Sequence, residues 1–291
     1  MHILVTSDGE ETLSRAVDYT LLFADQAAVT LLSTYESDSD RQEVLDTLDH
    51  LAEKINLISE CPVQAKAAPG EIIPALLHEI QSRDYDLLVF GSHLTPRLRK
   101  IRPKRTARKV AKRVTIPLLV VLPQWEKLEK ILICIGGTEP DGLVLRLSGR
   151  LASAVNAHCT ILHVMSQIPL RADAEQEDLQ RDAQALIEHE SKEGGYLENA
   201  MDILKEQGIE SEQCEFRVRH GLTVEEIIRE SKEGDFDLVV IGGLEVPPEK
   251  SWQELRELVQ EDIADQVLTE ANRPVLIAQN PKHYPLAWED L

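Results

Sequence analysis

The chain contains one pattern twice. HILVTSDGEE, starting at residue 2, returns as KILICIGGTE at residue 130, an offset of 128. APGEIIPALLHEI at residue 68 and RHGLTVEEIIRES at residue 219 are offset by 151, as are YDLLVFGS at residue 85 and FDLVVIGG at residue 236. IPLLVV at residue 116 returns as RPVLIA at residue 273, an offset of 157. Four blocks in one order, with offsets that only grow, describe a duplicated domain. The second copy carries 23 extra residues in its middle and six more near its end. A solenoid would instead show a short fixed period. Whatever architecture the first copy adopts, the second must adopt as well.

That architecture follows from the alternation within a copy. The apolar runs of the first are ILVTS, VTLLSTY, VQAKAA, YDLLVFG and IPLLVVL. Between them lie the amphipathic stretches ETLSRAVDYTLLFADQ, DRQEVLDTLDHLAEKINLIS and EIIPALLHEIQSR. Short runs apolar on both faces, alternating with helices, predict a parallel sheet covered on both sides. The fold class is α/β: two tandem doubly wound domains of five parallel strands each, with helices on both faces. The expected domains are residues 1–124 and 128–281, followed by a tail at 282–291. The inserted residues of the second copy fall around DAEQEDLQRDAQALIEHESKEGGYLENAMDILKEQG, which reads as a lengthened second helix with a break at Gly194 and Gly195. The join, near LPQWEKLEK, is too short for a flexible tether.

Charge divides unevenly between the copies. The net charge is −20, yet residues 97–113 hold ten of the 31 Lys and Arg and no acid. Residues 1–125 are nearly balanced, and residues 126–291 set 34 acids against 16 bases. A strongly acidic half argues against wrapping nucleic acid or anionic lipid with the whole surface. The apolar runs fall far short of the ~20 residues of a membrane span, and Met1 leads almost directly into a strand, so neither a membrane span nor a secretory leader is expected. Cys61, Cys134, Cys159 and Cys214 form no C-x-x-C pair, which fits free thiols in a reducing cytosol.

In a doubly wound sheet, ligands bind beyond the carboxyl ends of the strands, where the strand order reverses. This directs attention to SDGEE and GSHLTPRL in the first copy, and to GGTEPDG and GGLEVPPEK in the second. The SDG at Ser7, the helix starts at Gly70 and Gly221, the D-L-[LV]-V-x-G strands, the GSH at Gly91 and the closing x-P-[LV]-L strands together resemble the universal stress proteins in their tandem form. The resemblance covers essentially the whole chain. It implies the strand order 3-2-1-4-5 and an intrachain pairing of the two domains through their fifth strands. It also implies a cytoplasmic stress-response or regulatory role.

Nucleotide-binding members of that family carry G-x-x-G-x9-G-[ST] after the fourth strand, whose backbone N–H groups hold phosphates. On the first copy this pattern places Gly91 at the first Gly, Leu94 at the second, and Lys104 and Arg105 at G-[ST], with Thr106 following. Asp8 falls where the family places a ribose contact; it serves equally as a turn residue ahead of the first helix. On the second copy, Gly136 replaces that Asp, Glu245 the second Gly, and Glu261 and Asp262 the G-[ST] pair. Carboxylates there would repel phosphate. The candidate nucleotide or anion site is therefore Asp8, Gly91, Lys104, Arg105 and Thr106, with ATP or another phosphate-containing ligand as the group it would take.

The basic run admits two other readings. VAKRV keeps an apolar stripe through Ala107, Val110 and Val114, as a solvated amphipathic helix would. The equivalent segment of the second copy is acidic, with Glu249, Glu254, Glu257, Glu261, Asp262 and Asp265 against Lys250 and Arg256, so the two fourth helices attract each other or those of another chain. Elsewhere, Ser7 lacks a His partner for nucleophilic catalysis. Cys159, Ile161 and His163 share a strand face without a third ligand, which is core packing rather than a metal site. His93 reads as a loop residue, and Asp86 and Asp237 as caps or loop contacts. No catalytic residue is assigned. Binding is the leading function, with weak ATP hydrolysis or recruitment of an anionic partner such as RNA as alternatives. A homo-oligomer and a regulatory protein partner stay open.

Overall fold

The computed structural model describes residues 1–25, 27–93, 105–136, 141–165, 183–188, 191–242 and 263–279. The first copy runs β1 (His2–Ser7), α1 (Glu10–Leu21), β2 (Ala28–Tyr35), α2 (Arg41–Ile58), β3 (Val63–Pro69), α3 (Ile72–Ser82), β4 (Leu87–Gly91), α4 (Arg105–Ala111) and β5 (Leu118–Val121). The second runs β6 (Lys130–Ile135), α5 (Asp141–Val155), β7 (His158–Met165), α6 (Ala183–Glu188), α7 (Lys192–Glu206), β8 (Cys214–His220), α8 (Thr223–Glu233), β9 (Leu238–Gly242), α9 (Ile263–Glu270) and β10 (Val275–Ala278).

The strands join into one ten-stranded sheet of order β3-β2-β1-β4-β5-β10-β9-β6-β7-β8. Each half has the order 3-2-1-4-5, parallel throughout, and β5 meets β10 antiparallel. The inner strands are apolar on both faces because both are covered: β4, β5 and β10 are buried at every residue. One core lies under α1, α2, α5, α6 and α7, through residues such as Leu13, Val17, Leu51, Val144 and Leu197. The other lies under α3, α4, α8 and α9, through Leu76, Val110, Ile227 and Val267.

The junction follows a local twofold relation. The 157-residue offset carries Leu119 onto Leu276, and these two residues face each other in the β5–β10 register. A pseudo-twofold axis therefore passes through this pair, perpendicular to the sheet. As a result, the strand carboxyl ends of the two halves point in opposite directions. The connection is tied down on the way. The Trp125 indole N–H donates to the Asn272 carbonyl at 3.1 Å, and the Arg273 guanidinium stands 5.1 Å over its ring.

Duplication is visible in side chains as well as strands. Under the 151-residue offset, Lys66 and Glu79 become Arg217 and Glu230, and both pairs are ion pairs, at 2.5 and 2.6 Å. They pin edge strands β3 and β8 to α3 and α8, and charged residues on an edge discourage further strand pairing. Asp86 becomes Asp237. Asp86 accepts the His2 backbone N–H at 2.6 Å, and Asp237 accepts those of Glu129 and Lys130 at 2.8 and 3.0 Å, so each fixes the start of the first strand of its copy. Asp237 is 1% exposed. Asp237→Ala should cost about 2 kcal/mol in chemical denaturation, the penalty of leaving buried N–H groups unpaired. A loss below half of that would show that water replaces the carboxylate.

The second helix of copy two departs from expectation. It is two helices, α6 and α7, and the interruption precedes Ser191 rather than falling at Gly194 and Gly195, which sit in the first turn of α7. Ser191 caps α7 by accepting the Gly194 N–H at 2.9 Å, and its hydroxyl donates to the Leu186 carbonyl at 2.9 Å. Gly194 is there for close approach: a Cβ would overlap that same Leu186 carbonyl. The glycine read as a breaker lets one helix end rest on the next. The expected C-terminal tail, residues 282–291, lies outside the described residues.

Candidate functional site

In the first half, strand order reverses at β1, between β2 and β4. The last residues of β1 and β4, Ser7 and Gly91, are register partners. α1, which follows β1, packs on one face of the sheet and α4, which follows β4, on the other, the arrangement at which doubly wound sheets bind ligands beyond the strand carboxyl ends. Asp8 and His93 meet at this point. The His93 Nδ1 lies 3.0 Å from Asp8 Oδ1, with side chains 54% and 19% exposed. The Thr12 hydroxyl, which donates to the Gly9 carbonyl at 2.8 Å, lies 3.3 Å from the same carboxylate oxygen, and the Asp8 N–H donates to the Gly91 carbonyl at 3.2 Å. Asp8 is thereby held in place with one oxygen engaged.

Gly91 has a packing reason to be glycine. A Cβ there would run into the carbonyl of Thr12 in the first turn of α1, a backbone atom with nowhere to go. Ser92 is buried, and its N–H donates to the Val121 carbonyl at 3.0 Å, tying the end of β4 to β5. The Ser7 hydroxyl donates to the Gly9 carbonyl at 2.5 Å, which occupies it in a turn.

Arg105 and Thr106 open α4, with Thr106 partly buried. Lys104 and Leu94 lie outside the described residues. Ala107, Val110 and Val114 form the expected apolar stripe against the sheet. Arg108 reaches across the junction to α9. Its Nε donates to Asp265 Oδ1 at 2.6 Å and its Nη2 to Oδ2, a bidentate pair with side chains 17% and 14% exposed. Lys112 adds a contact to Asp265 at 3.5 Å. Burial works to raise the pKa of Asp265, but the Arg108 hydrogen bonds and the Lys112 and Arg108 charges outweigh it and hold it below the usual carboxylate range. The opposite charges of the two fourth helices thus meet within the chain at this point.

The second half differs at the equivalent position. Gly136 stands at the position of Asp8, exposed and without a side chain to contribute. Gly242 ends β9, and Glu245, Glu261 and Asp262 lie outside the described residues. Cys159 and His163 are buried, with the His163 Nδ1 3.2 Å from the Ile135 carbonyl, while His158 is exposed. Among the described residues no group of three metal-ligating side chains comes together. An open depression of about 520 Å³ between α1 and α2 is lined by Glu10, Glu43, Asp46 and His50, a charge balance that disfavours anions. No helix among the described residues is long and apolar enough to cross a membrane.

The sequence named Asp8 and His93 separately and missed that they pair. The signal was their placement at the ends of adjacent strands, β1 and β4.

Comparison with known proteins agrees with this fold. The model of the universal stress protein family matches residues 1–121 and again residues 127–279. No curated protein matches the chain. Among solved structures, a functionally unknown protein from Pseudomonas aeruginosa PAO1 aligns with a TM-score of 0.65 at 16% identity, over 96% of this chain and 92% of that one. A putative universal stress protein from Pseudomonas aeruginosa UCBPP-PA14 aligns at 0.62 and 18% identity, over 95% and 92%. A universal stress protein from Archaeoglobus fulgidus DSM 4304 aligns at 0.61 and 13% identity, over 96% and 98%. These likenesses are of fold, and the family match covers nearly every residue: the chain belongs to the universal stress protein family, with two of its domains in one polypeptide.

Proposed function

We propose that the protein acts by binding, as a stress-response regulator whose first domain takes a phosphate-containing ligand, a nucleotide such as ATP, at the carboxyl ends of β1 and β4. The observation that carries this reading is the anchored Asp8 at the point where strand order reverses. Its carboxylate is positioned by His93 and its backbone by the end of β4, and one oxygen stays available to a sugar hydroxyl. Lys104 and Arg105 would meet the phosphates with charge-assisted hydrogen bonds, and Thr106 would add a hydroxyl. The second domain, with Gly136 in place of Asp8, takes no nucleotide in this reading.

The test is thermal unfolding with ATP, inorganic phosphate or neither, after mass spectrometry of small molecules released from the denatured protein. A ligand at a hundred times its Kd stabilises the native state by about 2.7 kcal/mol. The expected result is a raised midpoint that the double change Lys104→Ala and Arg105→Ala removes without lowering the midpoint of the ligand-free protein. A midpoint indifferent to both compounds, with no nucleotide released, would overturn the reading. Steeply salt-dependent RNA binding would instead assign the basic run to nucleic acid.

A second reading has one observation in its favour. Arg108 and Lys112 are engaged with Asp265 across the junction, so part of the basic run serves the pairing of the two domains.

A further inference from the structure

Cys159 and Cys214 are register partners on the neighbouring parallel strands β7 and β8. Both side chains lie on the face of the sheet covered by α5 and α7. Backbones of paired strands stand about 4.8 Å apart. That is inside the range of about 4.4–6.8 Å between Cα atoms that a disulfide spans. All four cysteines are free thiols. Cys159 is 1% exposed, whereas Cys214 is half-buried on β8, an outer strand held by β7 alone. No other pairing is open. Cys134 on β6 belongs to the core on the opposite face of the sheet, and Cys61 sits in the first domain, donating to the Ala24 carbonyl at 2.9 Å.

We propose that Cys159 and Cys214 form a paired-thiol modification site, which a low-molecular-weight disulfide such as oxidised glutathione converts into a cross-strand disulfide. The Cys214 thiolate attacks one sulfur of the small disulfide and expels the first small thiolate, leaving a mixed disulfide on Cys214. The Cys159 thiolate then attacks the Cys214 sulfur and expels the second. Two electrons pass from the pair to the small disulfide, and the two protons lost by the cysteines end on the two small thiols. Burial, and for Cys159 the neighbouring Cys214, pushes both thiols up to about 12. Thiolate is therefore scarce at neutral pH, and the pair stays silent until oxidant is abundant or the outer strand opens. The new bond closes a loop containing α6 and α7, and staples the outer edge of the second domain to its interior. This inference is independent of any ligand in the first domain.

The experiment exposes the full chain, without denaturant, to oxidised glutathione at pH 7 and pH 9. Intact mass and peptide mapping follow. The expected product is lighter by two hydrogen atoms and holds one cross-linked peptide pair, Cys159 with Cys214. It should form roughly tenfold faster per pH unit and revert with dithiothreitol. Cys159→Ser should stop at a mixed disulfide on Cys214, and Cys214→Ser should suppress uptake at Cys159. A stable glutathione adduct on Cys214 in the unsubstituted protein, a bond involving Cys61 or Cys134, or four free thiols after incubation at pH 9 would each overturn the proposal.

Discussion

Arg108→Asp should remove about 3–5 kcal/mol of unfolding free energy, and adding Asp265→Arg should return most of it. The first change breaks a mostly buried bidentate pair and leaves two carboxylates facing each other, at the upper end of what unpairing a buried charge costs. The position explains why the double change works. The 157-residue offset that carries Leu119 onto Leu276 also carries Arg108 onto Asp265, so both pairs sit on the pseudo-twofold axis, one on each side of the sheet. In two identical subunits a residue on that axis would meet its own copy, and an arginine there would face an arginine. Within one chain the two copies have diverged into opposite charges, and exchanging them preserves the geometry. Urea denaturation of the two single variants and the double variant measures the coupling. A double variant no better than Arg108→Asp alone would place the loss elsewhere.

The same pair sets a dependence on pH. The folded-state pKa of Asp265 is lowered, so its contribution is present above the ordinary carboxylate value and is lost as pH falls through the lower folded value. Acid titration of stability should therefore show a loss beginning below about pH 4 that Asp265→Asn removes.

Gly91→Ala should cost about 3 kcal/mol, whereas Gly242→Ala, at the equivalent place in the second domain, should stay within about 0.5 kcal/mol. The contrast rests on what a Cβ would meet. At Gly91 it is the Thr12 backbone carbonyl, which can move only if α1 moves. At Gly242 the nearest atom is the Val144 Cγ2 at 3.8 Å, an ordinary contact. Displacing α1 would also shift Asp8 and Thr12, so Gly91→Ala should abolish the proposed response to nucleotide even where the protein still folds. Equal losses at the two positions would mean that helix packing over β4 is not the constraint.

Most of the architecture could be read from the chain because the repeat aligns three of the five strands and the third helix of each copy, and strands buried on both faces carry an apolar run that needs no partner to be recognised. The helix interruption was misplaced because Gly194 has two physical uses, breaking a helix and admitting a neighbour, and the sequence does not say which operates. Ser191, a capping residue three positions earlier, was the better marker. The charge complementarity of the fourth helices was legible as composition. Which two residues meet was not, until the β5–β10 register located the axis. Asp8 and His93 lie 85 positions apart, and only the adjacency of β1 and β4 brings them together.

Among the described residues the β5–β10 junction carries three registered residue pairs, the ion pairs of Arg108 and Lys112 with Asp265, and hydrogen bonds from Trp125 to the Asn272 carbonyl and from Gln279 to the Ala111 carbonyl. Between separate chains the population of any such interface depends on concentration. Here the halves are tethered by a handful of residues, and each experiences the other at an effective concentration in the millimolar range or above. Pairing is therefore a first-order event, blind to how many molecules a cell contains. The complete ten-stranded sheet is therefore available from the first molecule synthesised.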